Sequence, residues 1–113
     1  MILSIVVPLL NEVENLPFLY QKLDEVGRGV LKDVELELLF VDDGSSDGSY
    51  ELLADLTRND PRVRVIKLAR NFGSHGAVLA GFHHASGDYV TILAADLQDP
   101  PEDLPRLLER AKE

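Results

Sequence analysis

The sequence predicts an α/β protein built on a parallel sheet, and three observations carry that prediction. Short β-branched and leucine-rich runs alternate with longer segments whose apolar residues recur every three or four positions. The connections between successive runs are long enough for crossovers rather than hairpins. The polar residues suited to chemistry follow the runs directly, and in a parallel sheet those positions share one edge.

Ile2–Val7 is a β-branched run stopped by Pro8 and reads as a fully buried strand. A loop over Leu9–Glu14 leads to a helix capped by Asn15, with Pro17 tolerated in its first turn. Leu16, Leu19, Tyr20, Leu23 and Val26 form its apolar stripe, and Gly27 and Gly29 end it. Glu35–Val41 is the second strand, followed by a turn over Asp42–Gly48. Ser46 or Asp47 caps the next helix, whose stripe is Tyr50, Leu53 and Leu56, and Asn59-Asp60-Pro61 breaks it. Val63, Val65 and Ile66 alternate with Arg62, Arg64 and Lys67, which suits a strand at the sheet edge with a solvated basic face. A third helix is expected over His75–Ala85 with Val78, Leu79 and Phe82 inward, and its small residues allow close approach to a neighbour. Tyr89–Ala94 is the fourth strand. Pro101 opens a last helix carrying Leu104, Leu107, Leu108 and Ala111.

With 113 residues the chain is expected to be one domain over 1–113. Eleven basic against twenty acidic residues give a net charge of −9, which argues against a nucleic-acid or anionic-lipid surface. A phosphate-bearing ligand stays compatible if a cation intervenes. There is no cysteine, so neither disulfides nor thiol chemistry contribute. The longest apolar stretch, Met1–Leu10, is too short to span a bilayer and lacks the marks of a secretory signal.

The strand ends carry Pro8 to Glu12, then Asp42, Asp43 and Asp47, then Lys67 to Asn71, and finally Asp96 to Asp99. Carboxylates a few ångströms apart repel by roughly 4 kcal/mol per pair at an effective dielectric of about 20. Asp-Asp-Gly-Ser-Ser-Asp is also ordinary turn and helix-cap chemistry, and Glu12 or Asp99 could simply cap a helix. Their joint occurrence at one edge points instead to a site. A divalent cation shared with a diphosphate would offset the repulsion. No Gly-x-Gly-x-x-Gly follows the first strand and no P-loop is present. His75, His83 and His84 lack the spacing of paired metal ligands, and Arg70 lies where it could meet a phosphate.

Four segments, VVPLLNEVENL (6–16), FVDDGSSDGSYELL (40–53), RNFGSHGAVLAGFHHASGDYV (70–90) and AADLQDPPE (94–102), together sample nearly the whole length of the chain. In them the chain resembles the N-terminal half of family 2 glycosyltransferases of the GT-A fold. Within that family it is most similar to the branch of dolichyl-phosphate mannosyltransferases and bacterial polyprenyl-phosphate glucosyltransferases. The resemblance implies a strand order 3-2-1-4, so that Pro8–Glu12 faces Asp96–Asp99 across one crevice. It further implies that Pro8, Asn11, Glu12 and Gly76 line a nucleotide pocket, that Asp43 with Asp42 contacts base or ribose, and that Asp96 contributes as well. The metal position of the family's Asp-x-Asp motif falls on Asp96 and Gln98, with Asp99 as a further ligand for Mg²⁺ or Mn²⁺. Ala94 departs from the pattern by standing where many members carry the motif's first aspartate.

The implied reaction is inverting transfer of a sugar from a UDP- or GDP-linked donor to a lipid phosphate, in synthesis of a cell-envelope glycan or glycolipid. On this reading the chain is the donor-binding half of a longer protein. Its catalytic and acceptor-binding residues then lie beyond Glu113, and the fragment alone would not turn over. Membrane association, at the cytoplasmic face, would come through the missing C-terminal region. The uncovered side of its sheet would favour self-association. The alternatives are a non-catalytic binding or assembly module of the same shape and a family 2 transferase with a saccharide acceptor. A phosphoacceptor receiver domain fits poorly, because Pro8-Leu9-Leu10 stands where a receiver carries its acidic pair.

Overall fold

The computed structural model describes residues 1–96 and 100–112, with Ser74, Ala111 and Lys112 described in backbone only. The elements run β1 (Ile2–Leu9), α1 (Leu16–Arg28), β2 (Glu35–Asp42), α2 (Ser49–Asn59), β3 (Val63–Lys67), α3 (Gly73–His84), β4 (Tyr89–Ile92), a 3₁₀ turn at Pro101–Asp103 and α4 (Leu104–Lys112). All strand pairs are parallel and the sheet order is β3-β2-β1-β4, the order the family resemblance implies. The chain therefore steps outward from β1 to β3 and then crosses back over β1 to reach β4. Right-handed crossovers put α1 and α2 on one face during the outward steps and α3 on the other during the return.

On the first face Leu3, Ile5, Val7 and Leu9 of β1 join Leu36, Leu38 and Phe40 of β2 in the main core. Leu16, Leu19, Leu23 and Val26 of α1, Leu53 of α2 and Leu104 and Leu108 of α4 close over them. The periodicity of α1 is thus realised as read, and that of α4 at Leu104, Leu107 and Leu108, the Ala111 side chain lying outside the described residues. Helix α1 continues through Gly27 and ends at Gly29.

The second face differs from expectation. Leu79 and Phe82 of α3 are 54% and 45% exposed, so they do not point inward. The helix meets Val6, Leu39 and Val41 through Ala77, with Ala80 alongside. At Gly81 a Cβ would lie 2.3 Å from Val6 Cγ1, so the backbone itself rests on β1. The small residues set a close approach, and that rotates the large ones outward. Val90 and Ile92 of β4 are on the same face and are also exposed.

Two other expectations change. Of the expected solvated basic face, Arg64 and Lys67 are exposed but Arg62 is half-buried, and both arginines are paired. The Arg62 guanidinium bonds Asp60 Oδ2 and Asp24 Oδ1, both at 2.7 Å, and Arg64 bonds Glu37 Oε2 at 2.9 Å. Each basic side chain meets a carboxylate that the strand register or the preceding turn places beside it. Pro8 does not stop β1, which runs to Leu9 in register with Asp42. Its missing N–H falls on the β4 side, where the last rung is Leu93 N–H to Val6 O at 3.0 Å.

Glu37 ties the lower end of the sheet together. Ser4 Oγ–H and Ser86 N–H donate to Oε1, and Ser86 Oγ–H and Arg64 to Oε2, at 2.7–3.0 Å. Burial pushes this carboxyl up, but those four donors outweigh burial and hold its pKa at about 2, against 4.5 for a free glutamate. Such a group stabilises the fold above its unfolded pKa and loses that contribution as pH falls through its folded one. The shift is worth on the order of 3 kcal/mol. Glu37→Gln should therefore be less stable than wild type at pH 7, and the gap should close between about pH 5 and pH 2. Urea denaturation across that range measures it, and a gap independent of pH would contradict the assignment.

Candidate functional site

The loops after β1 and β2 are laced to one another by side chains bonding backbone amides. Asn11 adopts a left-handed conformation (φ 55) that asparagine tolerates better than most residues. Its N–H donates to Ser45 Oγ at 2.8 Å, and Ser46 N–H donates back to its Oδ1 at 2.8 Å. One residue on, Glu12 N–H donates to Ser49 Oγ at 3.1 Å and Val13 N–H to Asp47 Oδ2 at 3.1 Å. Asp47 Oδ1 accepts both the N–H and the hydroxyl of Ser49, so its side chain serves the start of α2 although Gly48 is the cap residue. The Ser49 hydroxyl bond is the chief cause of an Asp47 pKa below the ordinary carboxylate value.

Asp42 and Asp43 are buried at the end of β2. Asp42 Oδ1 accepts Ser45 N–H at 3.0 Å and closes the turn that Gly44 completes at φ 99. Its Oδ2 is buried and has no partner among the described residues. Asp43 turns towards the other face of the sheet, where its Oδ1 accepts Phe72 N–H at 2.7 Å. That bond anchors the segment between β3 and α3. Gly76 lets Phe72 fold over the helix start, since a Cβ there would lie 2.8 Å from Phe72 Cβ. Arg70 stacks over the Phe72 ring at 4.8 Å.

Between these loops and the chain after β4 lies a cavity of about 460 Å³. Pro8, Leu9, Leu10 and Glu12 form one wall, Asp43, Asn71, Gly73 and Ala77 a second, and Ala94, Ala95 and Asp96 a third. It occupies the crevice between β1 and β4, where the strand order reverses, which is where open α/β sheets bind ligands. Of the residues the sequence nominated, Pro8, Glu12, Asp43 and Asp96 are brought together there. Asn11, Asp42 and Gly76 are outside the lining: Asn11 and Asp42 brace the loops, and Gly76 makes room for Phe72. Gln98 and Asp99 lie outside the described residues. Leu9 and Leu10 fall within the strand-end stretch Pro8–Glu12 without having been singled out. Sequence reasoning missed Gly73, Ala77 and Ala95 as lining, of which only Ala77 left a trace, as part of a surface built for close approach.

The lining contains three carboxylates and, among the described residues, no lysine or arginine. No group of three or more histidine, aspartate or glutamate side chains among the described residues forms a ready-made metal cluster. Among the described residues a cation here would find only part of its shell.

Residues 4–113 match the family model for glycosyl transferase family 2. The chain belongs to that family. Among its curated relatives is the undecaprenyl-phosphate 4-deoxy-4-formamido-L-arabinose transferase of Salmonella choleraesuis, 44% identical over 111 residues. That match covers 97% of this chain and 33% of the relative, so the chain spans about a third of its length. Among solved structures, S. aureus TarS 1–349 shares the fold with a TM-score of 0.78 at 24% identity, covering 96% of this chain and 32% of that one. The mannosyltransferase PcManGT of Pyrobaculum calidifontis, solved with GDP-Man and Mn²⁺, has a TM-score of 0.72 at 25% identity, covering 95% and 31%. TarS 1–349 in complex with UDP-GlcNAc also scores 0.72 at 25% identity, covering 85% and 27%. The family 2 chain thus carries the α/β sheet of the GT-A glycosyltransferases, with its cavity at the topological switch point.

Proposed function

We propose that this chain forms the donor-binding half of an inverting sugar transferase and takes the nucleoside diphosphate of a UDP- or GDP-linked sugar into the β1/β4 crevice. The observation that carries the reading is the cavity lining, with Glu12, Asp43 and Asp96 on three walls and no basic side chain among its described residues. Carboxylates so gathered suit a ligand that brings hydrogen-bond donors to some of them and a cation to another. Asp43, braced by Phe72 and backed by Asp42, accepts from the base or ribose. Asn11 and Gly76 act on nucleotide binding through the loops they shape.

Asp96, with Gln98 and Asp99, would hold Mg²⁺ or Mn²⁺, the diphosphate supplying further oxygens. Such a cation supplies charge neutralisation on the leaving diphosphate. Two solved structures similar to this chain support the reading by their ligands, GDP-Man with Mn²⁺ in one and UDP-GlcNAc in the other.

The relatives named as undecaprenyl-phosphate transferases support a polyprenyl phosphate as acceptor. An acceptor phosphate oxygen attacks the anomeric carbon of the sugar, the bond from that carbon to the β-phosphate oxygen breaks, and the nucleoside diphosphate leaves. The acceptor is already an anion and needs no general base. Residues that hold the acceptor belong to the remainder of the longer protein, at the cytoplasmic face of a membrane. Among the described residues no helix is long and apolar enough to cross one.

The exposed face of Leu79, Phe82, Val90 and Ile92 supports self-association of the 113-residue chain. Sedimentation at rising concentration should show a dimer or larger species, and a monomer throughout would contradict it. Donor binding is tested by thermal shift with UDP- and GDP-sugars, with and without Mn²⁺. One of the two should raise the melting temperature of the wild type, more with metal than without. Asp96→Asn should lose the metal-dependent part and keep the rest. No shift with either at millimolar concentration would overturn the donor reading.

A further inference from the structure

Asn15 stands at the N-cap of α1, where an asparagine side chain ordinarily accepts from the first free N–H groups of the helix. It makes no such bond. The capping is done by the Glu12 carbonyl, which accepts both Asn15 N–H and Leu16 N–H at 3.0 Å. This releases the Asn15 amide, whose Nδ2 donates to Glu12 Oε2 at 2.9 Å. With its own N–H held by Ser49 Oγ at 3.1 Å, Glu12 is fixed at its amide, its carbonyl and its carboxylate.

We propose that Asn15 is a positioning residue for nucleotide binding, aiming the Glu12 carboxylate as an acceptor for the ribose hydroxyls. The inference rests on the donor-binding reading above. A carboxylate beside a diphosphate can only accept, and a nucleoside diphosphate offers donors on its base and its ribose diol. Asp96 has the metal end and Asp43 the base or one edge of the ribose, and Glu12, already clamped, is the remaining lining carboxylate for the diol. A glutamate side chain costs rotamer entropy when a ligand must order it, and a clamp already in place removes that cost. An amide is suited to the task because it donates one hydrogen bond without adding charge. It occupies Oε2 and leaves Oε1 able to accept.

The test uses UDP and GDP and their 2′-deoxy and 3′-deoxy counterparts as probes, titrated calorimetrically into wild type, Asn15→Asp, Asn15→Ser and the exchange pair Glu12→Gln/Asn15→Asp. Melting temperatures are measured in parallel. Serine is a good helix cap, so Asn15→Ser should keep the wild-type melting temperature. Asn15→Asp caps as well but sets a like charge beside Glu12, so its melting temperature is compared with that of the exchange pair, which removes the repulsion. Wild type should prefer the ribonucleotide over at least one deoxy form by about tenfold, the scale of a hydrogen bond to a charged group. Asn15→Asp puts two carboxylates together and should weaken ribonucleotide binding about tenfold while erasing that preference. Asn15→Ser should also lose the preference. The exchange pair restores the bond with donor and acceptor reversed, and should recover the preference at least in part.

If the single variants bind and discriminate like wild type, the positioning role fails and the donor reading stands. If affinity and melting temperature fall together and the exchange pair recovers neither, Asn15 is structural and the inference is overturned. If wild type binds neither UDP nor GDP, the donor reading fails and takes this inference with it.

Discussion

Pro8 has no N–H to give to the strand beside it, and the site depends on where that absence falls. The β1–β4 ladder reaches Leu93 N–H on Val6 O, and the next donor on β1 facing β4 would be residue 8. Without it the two strands have no reason to stay paired, and the chain after Leu93 departs as Ala94, Ala95 and Asp96. On its other side β1 continues in register with β2 as far as Leu9 opposite Asp42. One strand therefore remains bonded to a neighbour on one side and releases the neighbour on the other. The opening lies at the reversal of strand order, with carboxylates of three segments around it.

The two ends of the sheet treat their acidic residues differently. At the lower end Arg62 pairs with Asp60, and Arg64 joins the Ser4 and Ser86 donors on Glu37. The Arg62 guanidinium bonds hold Asp60 well below the usual carboxylate range despite its burial, with help from Tyr20. At the upper end Glu12, Asp42, Asp43 and Asp47 are held by amides and hydroxyls. Neutral donors orient a carboxylate without cancelling its charge. The two lower-end carboxylates thus each face a cation. The upper edge keeps a negative field that a cation, or a ligand carrying one, can relieve.

The sequence made part of this legible, and the reasons are physical. Leu16, Leu19, Leu23 and Val26 recur at helical spacing because one face of α1 is buried, so the stripe could be read directly. In α3 the buried face is built from Ala77 and Gly81, which carry little hydrophobic signal, whereas Leu79 and Phe82 carry much of it and lie outside. Periodicity follows the larger side chains, and here close approach to Val6 decided otherwise. Glu12, Asp43 and Asp96 could be nominated because residue type and strand end coincide. Asn11 and Gly76 could be nominated only by resemblance, and their contacts with Ser45, Ser46 and Phe72 emerge only in three dimensions. Arg62 and Arg64 alternate as a solvated face would, and their acidic partners come from α1, β2 and the turn before β3.

The central claim is that the crevice between β1 and β4 receives a nucleoside diphosphate. Backbone amide chemical shifts of the 113-residue chain, followed during titration with a UDP- or GDP-sugar and Mg²⁺, test it most directly. The account predicts that the largest changes fall on Leu9 to Glu12, Asp43, Asn71 to Ala77 and Ala94 to Asp96. Changes centred on Glu37, Arg64 and Ser86 at the opposite edge, or none at saturating ligand, would contradict it.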